Sequence, residues 1–215
     1  WHHFAYMMIS VALLGYGTAG AFVTLAQRPL RMRFTGTFAA AAGLFGITAL
    51  LAFLVAQHVG FNALEIFWDS RQLARLALIH VLLIVPFCCA ATAICLSFTV
   101  FPAHIPRLYA ADIVGAAAGG LGSVGLLTIM RPETALRWIA VAGLAAGALA
   151  VWRGGQRRAV AGFVLVALVV FALPASWTAL QSSPYKDLAQ TLQVTGTRVV
   201  AETFSPLGVV TVVES

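Results

Sequence analysis

From Phe4 to Ala26 the chain carries no Asp, Glu, Lys or Arg. The same holds from Phe34 to Gln57, from Leu76 to Phe101 and from Ala159 to Leu180. Two further apolar runs, Ala110 to Met130 and Thr134 to Trp152, hold one charge each, Asp112 and Arg137. A helix of roughly 20 such residues crosses the hydrocarbon core of a bilayer, and a helix can do so because it satisfies its own backbone hydrogen bonds. Six spans would take about 120–140 residues, and a chain of 215 residues supplies them. Only 9% of the residues are charged and 61% are hydrophobic, where a soluble domain has about 25% charged. Too few polar side chains remain to coat a water-soluble globule. A soluble enzyme, a disordered chain and a disulfide-rich secreted domain are therefore excluded. The expected fold is an all-α polytopic membrane bundle of about six transmembrane helices, followed by a short extramembrane helix and a β-hairpin.

The punctuation between the runs supports this division. Arg28-Pro29-Leu30-Arg31-Met32-Arg33 reads as a basic loop with a helix-breaking proline. Residues 61–75 read as a short amphipathic helix lying at the interface. Asn62 and Glu65 stand at N-cap and N3 spacing, and Leu64, Phe67 and Trp68 share a face. Pro86 lies inside the third span, where a kink is expected. Residues 1–181 form the membrane domain. Residues 182–215 have ordinary polarity, with Tyr185, Leu188, Ala189 and Leu192 at helical spacing. Arg198 to Phe204 and Val209 to Glu214 are β-branched runs around Ser205-Pro206-Leu207-Gly208, a hairpin signal. A lone hairpin is marginal in water. This second segment is thus expected to begin a soluble domain that continues beyond Ser215. The first residue, Trp1, is not an initiator Met, and it points the same way.

The net charge of +6 reports topology; no nucleic-acid partner is expected. Arg28, Arg31, Arg33, Arg107, Arg153, Arg157 and Arg158 fall on one side of six spans. Arg71, Arg75, Arg131, Arg137 and Lys186 fall on the other. The positive-inside rule places the first set in the cytoplasm and both chain ends outside, periplasmic in a bacterial inner membrane.

Few residues suggest chemistry. Gly120-Leu121-Gly122-Ser123-Val124-Gly125 has the spacing of a dinucleotide loop, but no strand precedes it. Close helix packing by small residues accounts for it, and for the pairs Gly115/Gly119 and Gly143/Gly147. Asp112 is the acid inside a span, and an intramembrane carboxylate needs a partner or a purpose. Its partner could be Arg107, Tyr109 or His104, or the start of its own helix; alternatively it marks a proton or substrate site. His80 lies one turn into the third span and could ligate haem only with a second histidine at mid-membrane depth, which the spacing does not supply. Cys88, Cys89 and Cys95 read as small apolar residues. No metal set is expected, and no catalytic residue.

Three sets of strings together resemble a known family. Trp1 to Gly17 resembles the opening of the membrane domain of bacterial spermidine synthase-like proteins. Tyr109-Ala110-Ala111-Asp112-Ile113-Val114-Gly115-Ala116-Ala117 is similar to a Y-x-x-D-x-x-G-A-A signature of that domain. Ser183-Pro184-Tyr185-Lys186, Arg198-Val199-Val200-Ala201-Glu202 and Ser205-Pro206-Leu207-Gly208 are similar to the segment leading into the synthase-like domain. The resemblance implies a membrane domain fused to an aminopropyltransferase-like Rossmann domain that opens with a β-hairpin. Decarboxylated S-adenosylmethionine is the cofactor implied for that absent domain, and none is implied for this chain. Aminopropyl transfer implies a cytosolic site, which conflicts with the periplasmic placement given by the charge count.

Two other functions are open at this stage. The chain could be a structural or accessory subunit of a respiratory or photosynthetic complex, in contact with other membrane subunits or with copies of itself. It could also be a polyamine or small-cation transporter built around Asp112. In each case the bilayer is its first partner.

Overall fold

The computed structural model describes residues 2–62, 65–179, 198–205 and 208–214. Its helices are α1 (His2–Leu25), α2 (Gln27–Met32), α3 (Phe34–Ala56), α4 (Ser70–Val100), α5 (Ile105–Ile129), α6 (Pro132–Arg153), α7 (Arg157–Ala172) and α8 (Ala175–Thr178). The strands β1 (Arg198–Ser205) and β2 (Gly208–Glu214) form an antiparallel hairpin. The chain is thus an all-α multi-pass membrane fold with a small C-terminal hairpin. The helix expected around residues 185–192 and the turn residues Pro206 and Leu207 lie outside the described residues.

Five helices are long and apolar enough to cross a bilayer, ending at Leu25, Ala56, Val100, Ile129 and Arg153. The sixth expected span differs. α7 has 16 residues, about 24 Å at 1.5 Å per residue, against roughly 30 Å of hydrocarbon. Pro174 ends it, because the residue before a proline is pushed out of helical geometry. Leu173 accordingly has φ −57° and ψ 131°.

Two other expectations are corrected. The basic segment after the first span is the helix α2, not a loop. Pro29 falls in its first turn, where the missing N–H costs nothing. Among the described residues of 61–69 no amphipathic α-helix forms. A turn covers Glu65 to Trp68, and α4 starts at Ser70. The N-cap is Asp69, whose carboxylate accepts from the Arg71 N–H at 3.0 Å. The third span is therefore longer than the sequence suggested, 31 residues, and it runs through Pro86 without a break in helical structure.

The helices pack in a row, α1 on α4, α4 on α3, α3 on α6 and α6 on α7. Lipid tails are as apolar as leucine, so burial drives little of this; close van der Waals approach does. Small residues make the approach possible. Ala39, Ala42, Gly43 and Gly46 of α3 are buried, as are Ala140, Gly143 and Gly147 of α6. A Cβ on Gly46 would run into the Ala140 carbonyl, and one on Gly143 would lie 2.9 Å from the Ala42 carbonyl oxygen. Phe163 of α7 wedges against both Gly43 and Gly147. Leu50, Ala140, Leu144 and Val170 form the core beside this seam.

α1 meets α4 in the same manner. A Cβ on Gly15 would fall 2.6 Å from the Phe87 Cβ. The contact adds polar bonds. The Cys88 Sγ donates to the Gly15 carbonyl at 3.4 Å and lies 3.0 Å from the Thr18 hydroxyl. α5 is different in kind: none of its residues is buried, and its contacts with α4, α6 and β1 are sparse.

Candidate functional site

The described polar side chains with the most bonds gather at one end of the row, where α3 ends and α4 and α6 begin. Gln72, one turn into α4, is almost fully buried. Its Oε1 accepts from the Asn62 N–H at 3.2 Å, and its Nε2 donates to Glu65 Oε2 at 3.0 Å. The Asn62 amide donates to Glu65 Oε1 at 3.0 Å. One turn on, Arg75 donates to the Gly60 carbonyl at 2.8 Å. The 57–69 segment is thus tied down onto α4 by Gln72 and Arg75. A buried amide with both ends bonded is stable there; with either end unmet it would be costly.

The neighbouring start of α6 holds a second group. Glu133 is buried beside Arg131, which it approaches at 3.8 Å. Its other oxygen, Oε2, is buried with no hydrogen-bond partner. As an acid in the first turn it also gains from the helix dipole. Arg137, one turn further, donates to the Pro174 carbonyl at 3.3 Å and to the Thr178 hydroxyl. It therefore clamps the segment after α7 to α6, while its Nε is buried and unbonded. The Gln57 side chain, at the end of α3, is buried with neither amide atom bonded. α3 and α6 are antiparallel neighbours, so Gln57 and Glu133 fall at the same end of their seam.

The residues singled out from sequence lie elsewhere. Asp112, Tyr109 and Arg107 are all exposed on α5. They fall within two turns of one another, but no hydrogen bond or ion pair joins them. His80 uses its Nδ1 on the Leu76 carbonyl of its own helix, at 2.8 Å. The structure brings Gly143 and Gly147 into the α3–α6 seam, whereas Gly115 and Gly119 meet nothing within 4 Å. The glycines of the dinucleotide-like string, Gly120, Gly122 and Gly125, also meet nothing. Cys88, Cys89 and Cys95 are free thiols on α4. Among the described residues no three of His, Cys, Asp and Glu converge as a metal set.

Sequence reasoning passed over Gln57, Gln72, Glu133 and Arg137. A signal for three of them existed: Gln57, Glu133 and Arg137 are polar residues at or inside the end of an apolar run, whereas Gln72 lies four residues before one. Comparison of the chain with family models, with curated proteins and with solved structures finds no match. The class that fold and geometry define is a multi-pass helical membrane domain with a β-hairpin at its C-terminal side.

Proposed function

We propose that the chain is the membrane domain of a spermidine synthase-like protein, holding an aminopropyltransferase-like domain at the bilayer. The observation that carries this reading is the hairpin. Val199, Val200, Val209, Val210 and Val212 are all exposed on it. Two strands cannot cover those side chains themselves, and such a hairpin is marginal alone. A β-containing domain that adds strands or packs on its face would cover them, as the family resemblance implies.

The Arg28–Arg33 and Arg153–Arg158 clusters sit at one end of the row, and that end faces the cytoplasm of a bacterial cell in this reading. Both chain ends are then periplasmic. The site is carried by the fused domain, with decarboxylated S-adenosylmethionine as its implied cofactor. Aminopropyl transfer needs that domain in the cytosol, so a C-terminal reporter fusion that reads periplasmic keeps the anchor and removes the transferase activity.

The test has two arms. The coding sequence after Ser215 is expected to continue into a glycine-rich loop followed by an acidic residue. The 215-residue chain itself is expected to stay in membranes after alkaline washing and to form no spermidine from putrescine. Spermidine formation by this chain alone, or a continuation with no such loop, overturns the reading.

A second reading is favoured by α5. A helix of 25 residues with none buried leaves its glycine face open to another membrane subunit or to a second copy. The chain would then be an accessory subunit of a larger complex. A native gel of mild-detergent extracts decides: a stable larger species that Gly119→Leu abolishes supports the accessory role, and a monomer unaffected by that change removes it.

A further inference from the structure

Between α6 and α7 runs an apolar groove of about 490 Å³, lined among others by Leu144, Ala148, Trp152, Phe163, Ala167 and Phe171. Its size falls in the range of ligand sites, about 300–1,000 Å³. One end, at Trp152 and Val160, opens beside the turn that joins the two helices. The turn is fixed in shape. The Gly155 N–H donates to the Trp152 carbonyl at 2.9 Å and the Gln156 N–H to the Val151 carbonyl at 3.0 Å. This pairing is the Schellman motif, and it needs the left-handed conformation that Gly155 adopts at φ 74°.

Arg153, Arg157 and Arg158 flank this turn and are exposed. None of the three makes an ion pair or a side-chain hydrogen bond among the described residues. Guanidinium groups match phosphate oxygens in a bidentate fashion. Trp152 is 64% exposed, and a tryptophan so placed belongs at headgroup level. The molecule with an apolar chain at this depth and an anionic group at this height is a lipid of the bilayer itself.

We propose that the α6–α7 groove and the Arg153–Arg158 turn form a binding site for one anionic glycerophospholipid. An acyl chain lies in the groove, and the phosphate sits on the arginines. An acyl chain is already in an apolar medium, so entering the groove gains only packing. Charge therefore selects the occupant, and a zwitterionic lipid of the same chain length is held less well. Each arginine near a membrane surface contributes about fivefold in affinity for an anionic lipid.

The test is native mass spectrometry of the full chain released from nanodiscs that contain phosphatidylglycerol and phosphatidylcholine. One retained phosphatidylglycerol per chain is expected. The triple change of Arg153, Arg157 and Arg158 to Gln lowers its retention about a hundredfold. Arg157→Gln alone lowers it about fivefold and carries the test if the triple variant fails to insert. Ala148→Trp fills the groove, leaves the charge intact and is expected to lose the lipid. Arg71→Gln, an exposed arginine at the start of α4 and so at the opposite end of the bundle, leaves retention unchanged. Equal retention of the two lipids, full retention by Ala148→Trp, or equal losses from Arg157→Gln and Arg71→Gln overturns the site.

Discussion

Gly46→Leu is expected to cause the largest loss of stability of any single change in the membrane domain. The α3–α6 seam is a backbone-to-backbone contact. A Cβ at position 46 meets the Ala140 carbonyl, which cannot swing aside as a side-chain tip can. Room can be made only by parting the two helices. That separation would also undo the close packing at Gly143 and Gly147, where an added Cβ would lie 2.9 Å from the Ala42 and Ala39 carbonyl oxygens. Overpacking typically costs about 1–3 kcal/mol, and the shared loss along the seam puts Gly46→Leu at or above the upper end. Gly46→Ala shows the same direction with a smaller loss. Gly120→Leu on α5 is the matched control, because nothing lies within 4 Å of that glycine. Unfolding by SDS titration in mixed micelles measures all three. Equal stability of Gly46→Leu and Gly120→Leu would show that the α3–α6 contact is not the one described.

The same glycines show where the sequence was legible and where it was not. The apolar runs dictated the spans, because length and absence of charge are sufficient for a helix in a bilayer. The partners of those spans were not legible. Gly115/Gly119 and Gly143/Gly147 have the same spacing, yet one pair lies in a helix seam and the other faces open space. Spacing states which residues share a face, not which helix meets it. The segment around Asn62 was misread for a related reason. Asn62 and Glu65, read at N-cap and N3 spacing, do bond, but side chain to side chain at 3.0 Å, not as the side-chain-to-backbone pairs of a helix start. The bond closes a loop instead, because Gln72 completes both groups from the next helix, and Asp69 supplies the N-cap. The sixth span was overextended past Pro174, although the residue that ends it is plain in the sequence. Asp112 drew attention as a charge inside an apolar run, but it lies on an exposed helix. The polar groups that the fold does enclose, Gln57, Gln72, Glu133 and Arg137, stand at helix ends, where polarity alone passes for ordinary loop composition.

Gln72→Leu is the second change with a large expected effect, and it acts on the polar end of the bundle. Leucine keeps the volume but removes one acceptor and one donor at once. The Asn62 N–H loses the oxygen it uses at 3.2 Å, and Glu65 Oε2 loses its donor at 3.0 Å. Each buried polar group left unmet costs about 1–3 kcal/mol, so the two together cost about 2–6 kcal/mol, less whatever water recovers at this end. The loss is local in character. Arg75 still holds the Gly60 carbonyl, and the α3–α6 seam does not pass through Gln72. Backbone amides of residues 65–69, which include the Trp68 and Asp69 turn bonds to the Glu65 carbonyl, should therefore exchange faster by hydrogen–deuterium exchange. Amides in the middle of α3 and α6 should hold their protection. Leu73→Ala, on the exposed face of the same turn, should leave the 65–69 amides unchanged. Loss of protection spread evenly over all helices, or no change at 65–69, would mean that the segment is held by something other than the Gln72 amide. A selective rise at 65–69 would establish that this polar end opens independently of the glycine seam.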